Sequence, residues 1–404
     1  MARAAEYRDF HPVAFTNLLR SDAAMIHARQ VDSILDVCAS AWDALIDTSQ
    51  PFIRHGFLAA LEASGSVGAH NGWQPAHLLL EDDDGHLIGA APLYDKEHSY
   101  GEFVFDFAWA NAYNQLGLDY YPKLLCAVPF SPVVGPRLLA RDDATRNQLA
   151  QRLAALPAQQ DRSSLHVLFG NGDTTNAMHD AGALFRQECQ YRWYNRGYAD
   201  FEAFLARLSS KRRKAIRRER KRMHDAGVEV TVRTPDQIDA ELWRTLYMFY
   251  TRTYAIRGQA PYLTPAFFDE LFARMATQVR FFIAWHRGEP VGMAFMMVDN
   301  DTLYGRHWGC ATDYHSLHFE TCYYAGIDYC IEHGLHCFDA GAQGEHKIRR
   351  GFEPVALQSA HVIADDRLSA AVADFVRREG ALMDDYQDHQ LSRSNFDPGN
   401  PTHP

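Results

Sequence analysis

Along the second half of the chain the spacing of apolar and polar positions changes several times, and each change marks an element. Residues 280–285 and 291–298 are short apolar runs joined through Gly288, which predicts an antiparallel hairpin. Residues 302–308 predict a third strand. The spacing then turns helical, with Phe319, Cys322, Tyr323, Gly326, Ile327, Cys330 and Ile331 at three- and four-residue steps. Gly334 closes that helix, and residues 335–340 return to a strand ending at Gly341. Strand, helix and strand in that order predict a right-handed crossover between parallel strands. The carboxyl ends of 302–308 and 335–340 are therefore expected side by side, on the edge where open α/β sheets take ligands.

The first half repeats part of this pattern. The string from Gly85 to Ala91 and the string from Gly288 to Ala294 share a turn glycine, a β-branched residue, a second glycine and an alanine at the same spacing. Upstream, the string from Pro51 to Phe57 matches that from Pro261 to Phe267, with Leu61 and Leu271 completing a helical spacing. Trp42 and Trp243 stand on helices further upstream. Three matches in the same order predict a duplicated unit of helix, helix, strand, turn and strand, with residues 77–81 pairing with 88–94 as the first-half hairpin. The expected organisation is an α/β fold (α+β, with mixed sheets) in two domains, 1–200 and 201–390. The last residues, 391–404, are expected to be a disordered tail.

Composition narrows the class. Of 404 residues, 47% are hydrophobic and 23% charged, an ordinary globular balance with room for two cores. Residues 1–19 have no uninterrupted apolar core of the kind an export signal needs, and no apolar run approaches the ~20 residues that span a bilayer. The expectation is a cytoplasmic chain without membrane insertion, whose seven cysteines are reduced thiols. The net charge of -11 argues against a surface built throughout for nucleic acid. One segment departs from that average. Residues 207–222 hold ten Lys or Arg against Glu219 alone, on a predicted helix that either is a solvated linker or grips phosphates. Lys211, Arg212, Arg213 and Arg217 are the phosphate or tRNA candidates.

Candidate chemistry collects at the predicted strand edge. Residues 338–352 combine glycines with Asp339, Gln343, Glu345, His346, Lys347, Arg349 and Arg350. Acyl transfer to an amine needs a base for the ammonium proton and a donor for the developing oxyanion. His346 or Glu345 suits the first role, and Lys347, Arg349 or Arg350 the second. Glu320 is a further acid–base candidate, though Glu320 and Asp339 read equally well as a helix-end charge and a turn residue. Arg306, His307, Trp308 and His318 join Asp339, Gln343 and Arg349 as substrate-binding candidates. His315, His318, Cys310, Cys322, Cys330, Cys337 and His346 share the region, but their spacing fits no metal site, and none is expected. The string from Arg306 to Ala311 partly fits a loop that cradles a coenzyme A pyrophosphate. In the first half, residues 100–109 alternate so that Phe103, Phe105, Phe107 and Trp109 form one face, read as core, with Asp106 on the other. Asp106, Trp109, Tyr113 and Lys123, with Asn111, Tyr121 and Arg137, are candidates for an acceptor groove.

Several strings carry a resemblance: SYGEFVFDFAW (99–109), YYPKLL (120–125), VPFSPVVGPRLL (128–139), HFETCYY (318–324) and GAQGEHK (341–347). From about residue 30 to about 385 the chain resembles the FemAB-like family of peptidoglycan biosynthesis/recognition proteins, also described as predicted N-acyltransferases. The resemblance implies a tandem pair of GNAT-like folds. It also implies an acyl donor used as co-substrate (aminoacyl-tRNA, acyl-CoA or acyl carrier protein) with no tightly bound cofactor, and a small-molecule or precursor amine as acceptor. Better studied members extend peptidoglycan precursors from aminoacyl-tRNA, assisted by a basic residue before a late Gly-Phe or Phe-Gly. Here residues 347–350 before Gly351 and Phe352 are the nearest match. The expected function is N-acyl or aminoacyl transfer, and the alternative is a non-catalytic module that recognises a peptidoglycan precursor or related ligand.

Overall fold

The computed structural model of the chain describes residues 25–311, 316–341 and 344–392. Among them nine strands precede residue 200: β1 (His27–Val31), β2 (Trp73–Pro75), β3 (His77–Glu81), β4 (Leu87–Ala91), β5 (Leu93–Lys96), β6 (Lys123–Cys126), β7 (Leu139–Ala140), β8 (Ser164–Val167) and β9 (Leu184–Tyr194). Six follow it: β10 (Val228–Arg233), β11 (Val279–His286), β12 (Glu289–Val298), β13 (Thr302–Cys310), β14 (Cys337–Asp339) and β15 (Glu353–Ile363). Four strands make a small antiparallel sheet in the order β1-β3-β4-β7. The other eleven make one mixed sheet, β10-β11-β12-β13-β14-β9-β15-β8-β6-β5-β2. The α/β class with mixed sheets read from the sequence is the one observed.

The predicted crossover is present. After β13 the chain is helical over Leu317–Phe319, widens to a π-helical turn over Glu320–Tyr324, and continues as an α-helix over Ala325–Glu332. Gly334 then takes φ +68°, and β14 lies parallel to β13 through the pairs Thr302/Cys337, Leu303/Phe338 and Tyr304/Asp339. Alternation along β11 and β12 separates two cores. Phe281, Ile283, Met293, Phe295 and Met297 pack toward the helices Ala240–Ala255 and Pro265–Met275. Phe282, Ala294, Met296 and Val298 pack on the other face, toward the crossover helix and the helix Phe201–Ala206.

The repeated strings fold alike. β3 and β4 form one hairpin and β11 and β12 the other, with Gly85 and Gly288 at φ +78° and +84° in the turns. The matched helices His55–Ala63 and Pro265–Met275 pack on each other, the rings of Phe57 and Phe267 5.8 Å apart. Three sequence readings need correction. Residues 88–94 are not one strand: Pro92 cannot donate to a ladder, and there the chain passes from the small sheet (β4) to the large one (β5). Residues 100–106 are not a strand either, and a helix begins at Phe107 and runs to Gln115. Of the supposed core face, Phe105 is 57% and Phe107 42% exposed. The final helix, Asp366–Ser392, takes in the first two residues of the expected tail, and residues 393–404 lie outside the described residues.

Pairing between distant segments crosses residue 200. β9 lies between β14 and β15, with three residue pairs to the first and nine to the second. β15 in turn pairs with β8. A further close approach fixes the helix Ala240–Ala255 against β13, because a Cβ on Gly309 would stand 2.1 Å from the Phe249 carbonyl oxygen. Backbone on both sides leaves nothing to yield. Gly309→Ala is therefore expected to destabilise the protein by about 2 kcal/mol or more, seen as a lower urea midpoint. An unchanged midpoint would mean that this helix does not sit so close.

Candidate active site

β13 and β14 stay together for only three pairs and then part. A bulge against β12 follows on the other side of β13: Met296 faces Gly305 and Phe295 faces His307, so Arg306 is the extra residue of β13. Gly341, at φ +85°, turns the chain away after β14, and its amide donates to Asp339 Oδ1 (3.0 Å). Its carbonyl accepts from Lys347 Nζ at 2.5 Å. A cleft of about 490 Å3 opens at this point, lined by Arg306, His307, Trp308, His318 and Gly341 on one side. Its other walls are Tyr100, Phe103, Phe105, Phe107 and their neighbours Ser99 and Gly101 from the first half, and Tyr250, Tyr254 and Tyr262 at and beyond the helix Ala240–Ala255.

The residues 345–350 that follow form a 3-10 turn, and its side chains divide. Lys347 is 2% exposed; burial pulls its ammonium down to about 8, opposed by the charge of Asp339. Asp339, also buried, faces Arg192 at 3.4 Å. His346 is half-buried, its Nε2 2.9 Å from the Tyr323 hydroxyl, and its pKa is lowered by burial and by the Arg350 and Lys347 charges. Asp339, His346 and Lys347 stand behind the cleft lining at Gly341 and His318 and are not part of it, and Arg350 is engaged elsewhere. It donates to both Glu219 oxygens and to the His346 carbonyl, and its guanidinium lies 3.3 Å from the centre of the Phe319 ring. That geometry makes it a clamp between the turn and the basic helix. Arg349 is exposed. The Glu345 side chain and all of Gln343 and His315 lie outside what the structure describes.

The remaining candidates sort by contact. His318 stands between Trp308 (ring centres 5.4 Å) and His346 (6.2 Å), and burial lowers it to about 4. His307 stacks on Phe295 and abuts Tyr250; burial, then Arg306, takes it to about 3, so it is neutral. Arg306 donates to the Phe130 carbonyl at 2.8 Å, and burial lowers its pKa to about 10. Glu320 is turned to Arg220 at 3.1 Å and takes no part in the cleft. The pyrophosphate-cradle reading of residues 306–311 fails for 306–310, which remain in β13 with a partner strand alongside. The acceptor-groove residues Asp106, Trp109, Tyr113, Lys123 and Arg137 are all 4% exposed or less, and none lines the cleft. Instead Ser99, Tyr100, Gly101, Phe103, Phe105 and Phe107 do, although the sequence assigned the aromatics of this string to core. The alternation of polar and aromatic residues there is the signal that could have placed them, read with the polar side inward.

The basic segment forms the helix Ser210–Asp225, seated by Ile216 and Met223. Glu219 reaches Arg350 and Tyr324, and Arg220 reaches Glu320 and Asp328. Of the phosphate candidates, Lys211 is exposed, Arg213 donates to the Ala206 and Leu208 carbonyls, Arg217 pairs with Glu202, and Arg212 is half-buried. Lys211, Lys214, Arg218 and Arg222 are exposed without an ion pair among the described residues. Their spacing puts them on one stripe. A larger hollow, about 730 Å3, lies at the opposite end of β13 among Arg54, Arg280 and Asp299, away from every candidate residue. Among the described residues Asp82, Asp84 and His86, on the exposed β3–β4 turn, are the one group close enough to share a metal ion, and they too are remote from the cleft. No helix of the described residues is long and apolar enough to cross a membrane.

The model of the FemAB-like family, described as peptidoglycan biosynthesis/recognition, matches residues 33–397. No curated protein matches the chain by sequence. Solved structures share its fold. FemX is 11% identical with a TM-score of 0.50, covering 83% of this chain and 98% of its own. L-PGS from Bacillus licheniformis is 12% identical with a TM-score of 0.50, covering 82% and 97%. A conserved protein from Bacteroides thetaiotaomicron is 12% identical at the same score, covering 83% and 99%. The chain belongs to the FemAB-like family, and its fold is the tandem GNAT-like architecture.

The two cations of the 345–350 turn should separate by their effect on stability. Arg350→Met leaves Glu219 with its charge unpaired and is expected to cost about 3 kcal/mol. Lys347→Met removes an ammonium that burial already disfavours and should change stability by less than about 1 kcal/mol. Equal losses in urea unfolding would contradict this division of roles.

Proposed function

We propose that the chain is an N-acyltransferase of GNAT/FemAB-like type, moving an aminoacyl or acyl group from an activated donor onto an amine at the parting of β13 and β14. The observation that carries the reading is Lys347, held by its ammonium against the Gly341 carbonyl beside buried Asp339, with the neutral imidazole of His346 next to it in the same turn. An amine arrives as an ammonium and must lose a proton before it can attack. His346 is suited to accept it, because burial and two neighbouring cations keep its imidazole unprotonated. Attack on the donor carbonyl forms a tetrahedral intermediate whose oxyanion needs a positive partner, and Lys347 is protonated below about pH 8. His346 passes that first proton to solvent; once the C–N bond has formed the nitrogen gives a second proton to His346, which delivers it to the donor's oxygen or sulfur leaving group as collapse breaks that bond. The new C–N bond is the amide.

Family membership supports transfer chemistry and leaves donor and acceptor open. A phosphate-bearing donor, whether aminoacyl-tRNA, acyl-CoA or acyl carrier protein, is favoured by the stripe Lys211, Lys214, Arg218 and Arg222 on a helix tied through Glu219 to Arg350. The acceptor is a small-molecule or precursor amine. A cytoplasmic location, where such donors are made, belongs to the same proposal, and the chemistry calls on no metal and no tightly bound cofactor.

The direct test offers charged tRNA, acyl-CoA and acyl carrier protein with pooled amines and reads products by mass spectrometry. One donor class should yield an amide. His346→Asn and Lys347→Met should each lower turnover about a hundredfold to a thousandfold with the fold intact. Because Lys347 loses its proton near pH 8, the wild-type rate should fall above that pH, and Lys347→Arg should shift the fall upward. Tight binding of an amine with no product from any donor would make the cleft a recognition module instead.

A further inference from the structure

Two of the strings that carry the family resemblance, 99–109 and 120–125, meet in one buried knot that the reaction at the 345–350 turn does not use. Its centre is Lys123, the first residue of β6, with 0% exposure. The three N–H bonds of its ammonium go to Ser99 Oγ (2.9 Å), Glu102 Oε2 (2.8 Å) and Asp106 Oδ2. All three acceptors belong to one loop, three or four residues apart. Tyr120 donates to the same Asp106 oxygen at 2.6 Å, and its hydroxyl lies 3.0 Å from His166 Nε2. Burial disfavours the Lys123 charge, but Glu102 and Asp106 more than offset this and raise its pKa, so the ammonium stays charged.

We propose that Lys123 is a positioning residue for the cleft: by holding Ser99, Glu102 and Asp106 inward, it turns Tyr100, Phe105 and Phe107 outward as a wall for the apolar part of the amine acceptor. This rests on the transferase reading for the word acceptor and on geometry for the rest. The loop alternates so that each tethered residue is followed by an aromatic one: Ser99 by Tyr100, Glu102 by Phe103, Asp106 by Phe107. Those aromatics line the cleft opposite Arg306, His307 and Trp308. Tyr100 and Phe105 are each 57% and Phe107 42% exposed, with 6.2 Å between the ring centres of Tyr100 and Phe107 and of Phe105 and Phe107, and the Tyr100 ring also meets His98 at 5.4 Å. A row of exposed rings at the mouth of a cleft marks an apolar ligand. The wall faces the core built on the helix Ala240–Ala255, whereas the basic stripe rides on the opposite face of the sheet. The two sides thus assign the aromatic wall to the acceptor and the stripe to the donor. A lysine suits the knot because its three donors diverge from one atom; a planar guanidinium would not meet three acceptors so placed.

The test uses the full-length chain with two tether variants, Lys123→Met and the milder Ser99→Ala, and one wall variant, Phe105→Ala with Phe107→Ala. Hydrogen exchange across residues 99–107 should rise about tenfold in the tether variants, the loss of a hydrogen bond to a charged donor, and stay at the wild-type rate in the wall variant. Calorimetry with butylamine, hexylamine and octylamine should show wild-type affinity rising about threefold per added methylene. That slope should flatten in Ser99→Ala and in the wall variant. Once a substrate pair is known, Ser99→Ala should raise the acceptor KM about tenfold while kcat and the donor KM stay within about twofold. A wild-type slope of zero, or an unchanged slope and unchanged exchange in Ser99→Ala, overturns the proposal, including where Lys123→Met fails to fold. Neither exchange nor alkylamine binding requires turnover, so a chain that binds by chain length but makes no product would sink the transferase reading and leave the positioning role standing.

Discussion

The site exists because two parallel strands separate after three residue pairs. A ladder that ends inside a protein leaves amide and carbonyl groups that must find other partners. Here the bulged residue Arg306 sends its guanidinium across to the Phe130 carbonyl of the first half, and Gly341 gives its amide to Asp339 and its carbonyl to Lys347. The Lys347 ammonium is therefore held by backbone that the separation itself released. The cost of keeping that ammonium out of water is visible in its lowered pKa, only partly offset by Asp339.

How much of this was legible in the sequence depended on whether a feature was local. The change of period from 2 to 3.6 and back, with Gly334 as punctuation, located β13, the crossover helix and β14 to within a few residues. The duplicated hairpins were equally readable, since Gly85 and Gly288 mark turns that need positive φ. The place of β9 between β14 and β15 was not, because nothing within residues 184–194 specifies a partner some 150 positions away. Charge at the predicted edge drew attention to the 345–350 turn but not to its internal division: Arg350 and Lys347 look alike in the sequence, and only the position of Glu219 on the basic helix decides which is clamped. The string 99–109 failed for a related reason. Alternation shows that two faces differ, and the usual rule that aromatics go inward misassigns them when the polar face meets a buried lysine.

The two halves contribute unequal kinds of order. The second half supplies His318 and Lys347, each displaced from its ordinary pKa by burial. The first half supplies an ion cluster with no access to solvent, costly by itself and stable only because each Lys123 donor has an acceptor. The cleft lies where these two meet.

One consequence follows from the strands that cross over. β9 shares nine pairs with β15 and three with β14, while β15 continues into β8, so the halves are laced by main-chain bonds through the middle of an eleven-stranded sheet. They cannot swing apart like the leaves of a hinge, because any such opening would tear the ladder. Admission of a ligand must then be the business of side chains and short loops at the rim, while the floor beneath them keeps one shape.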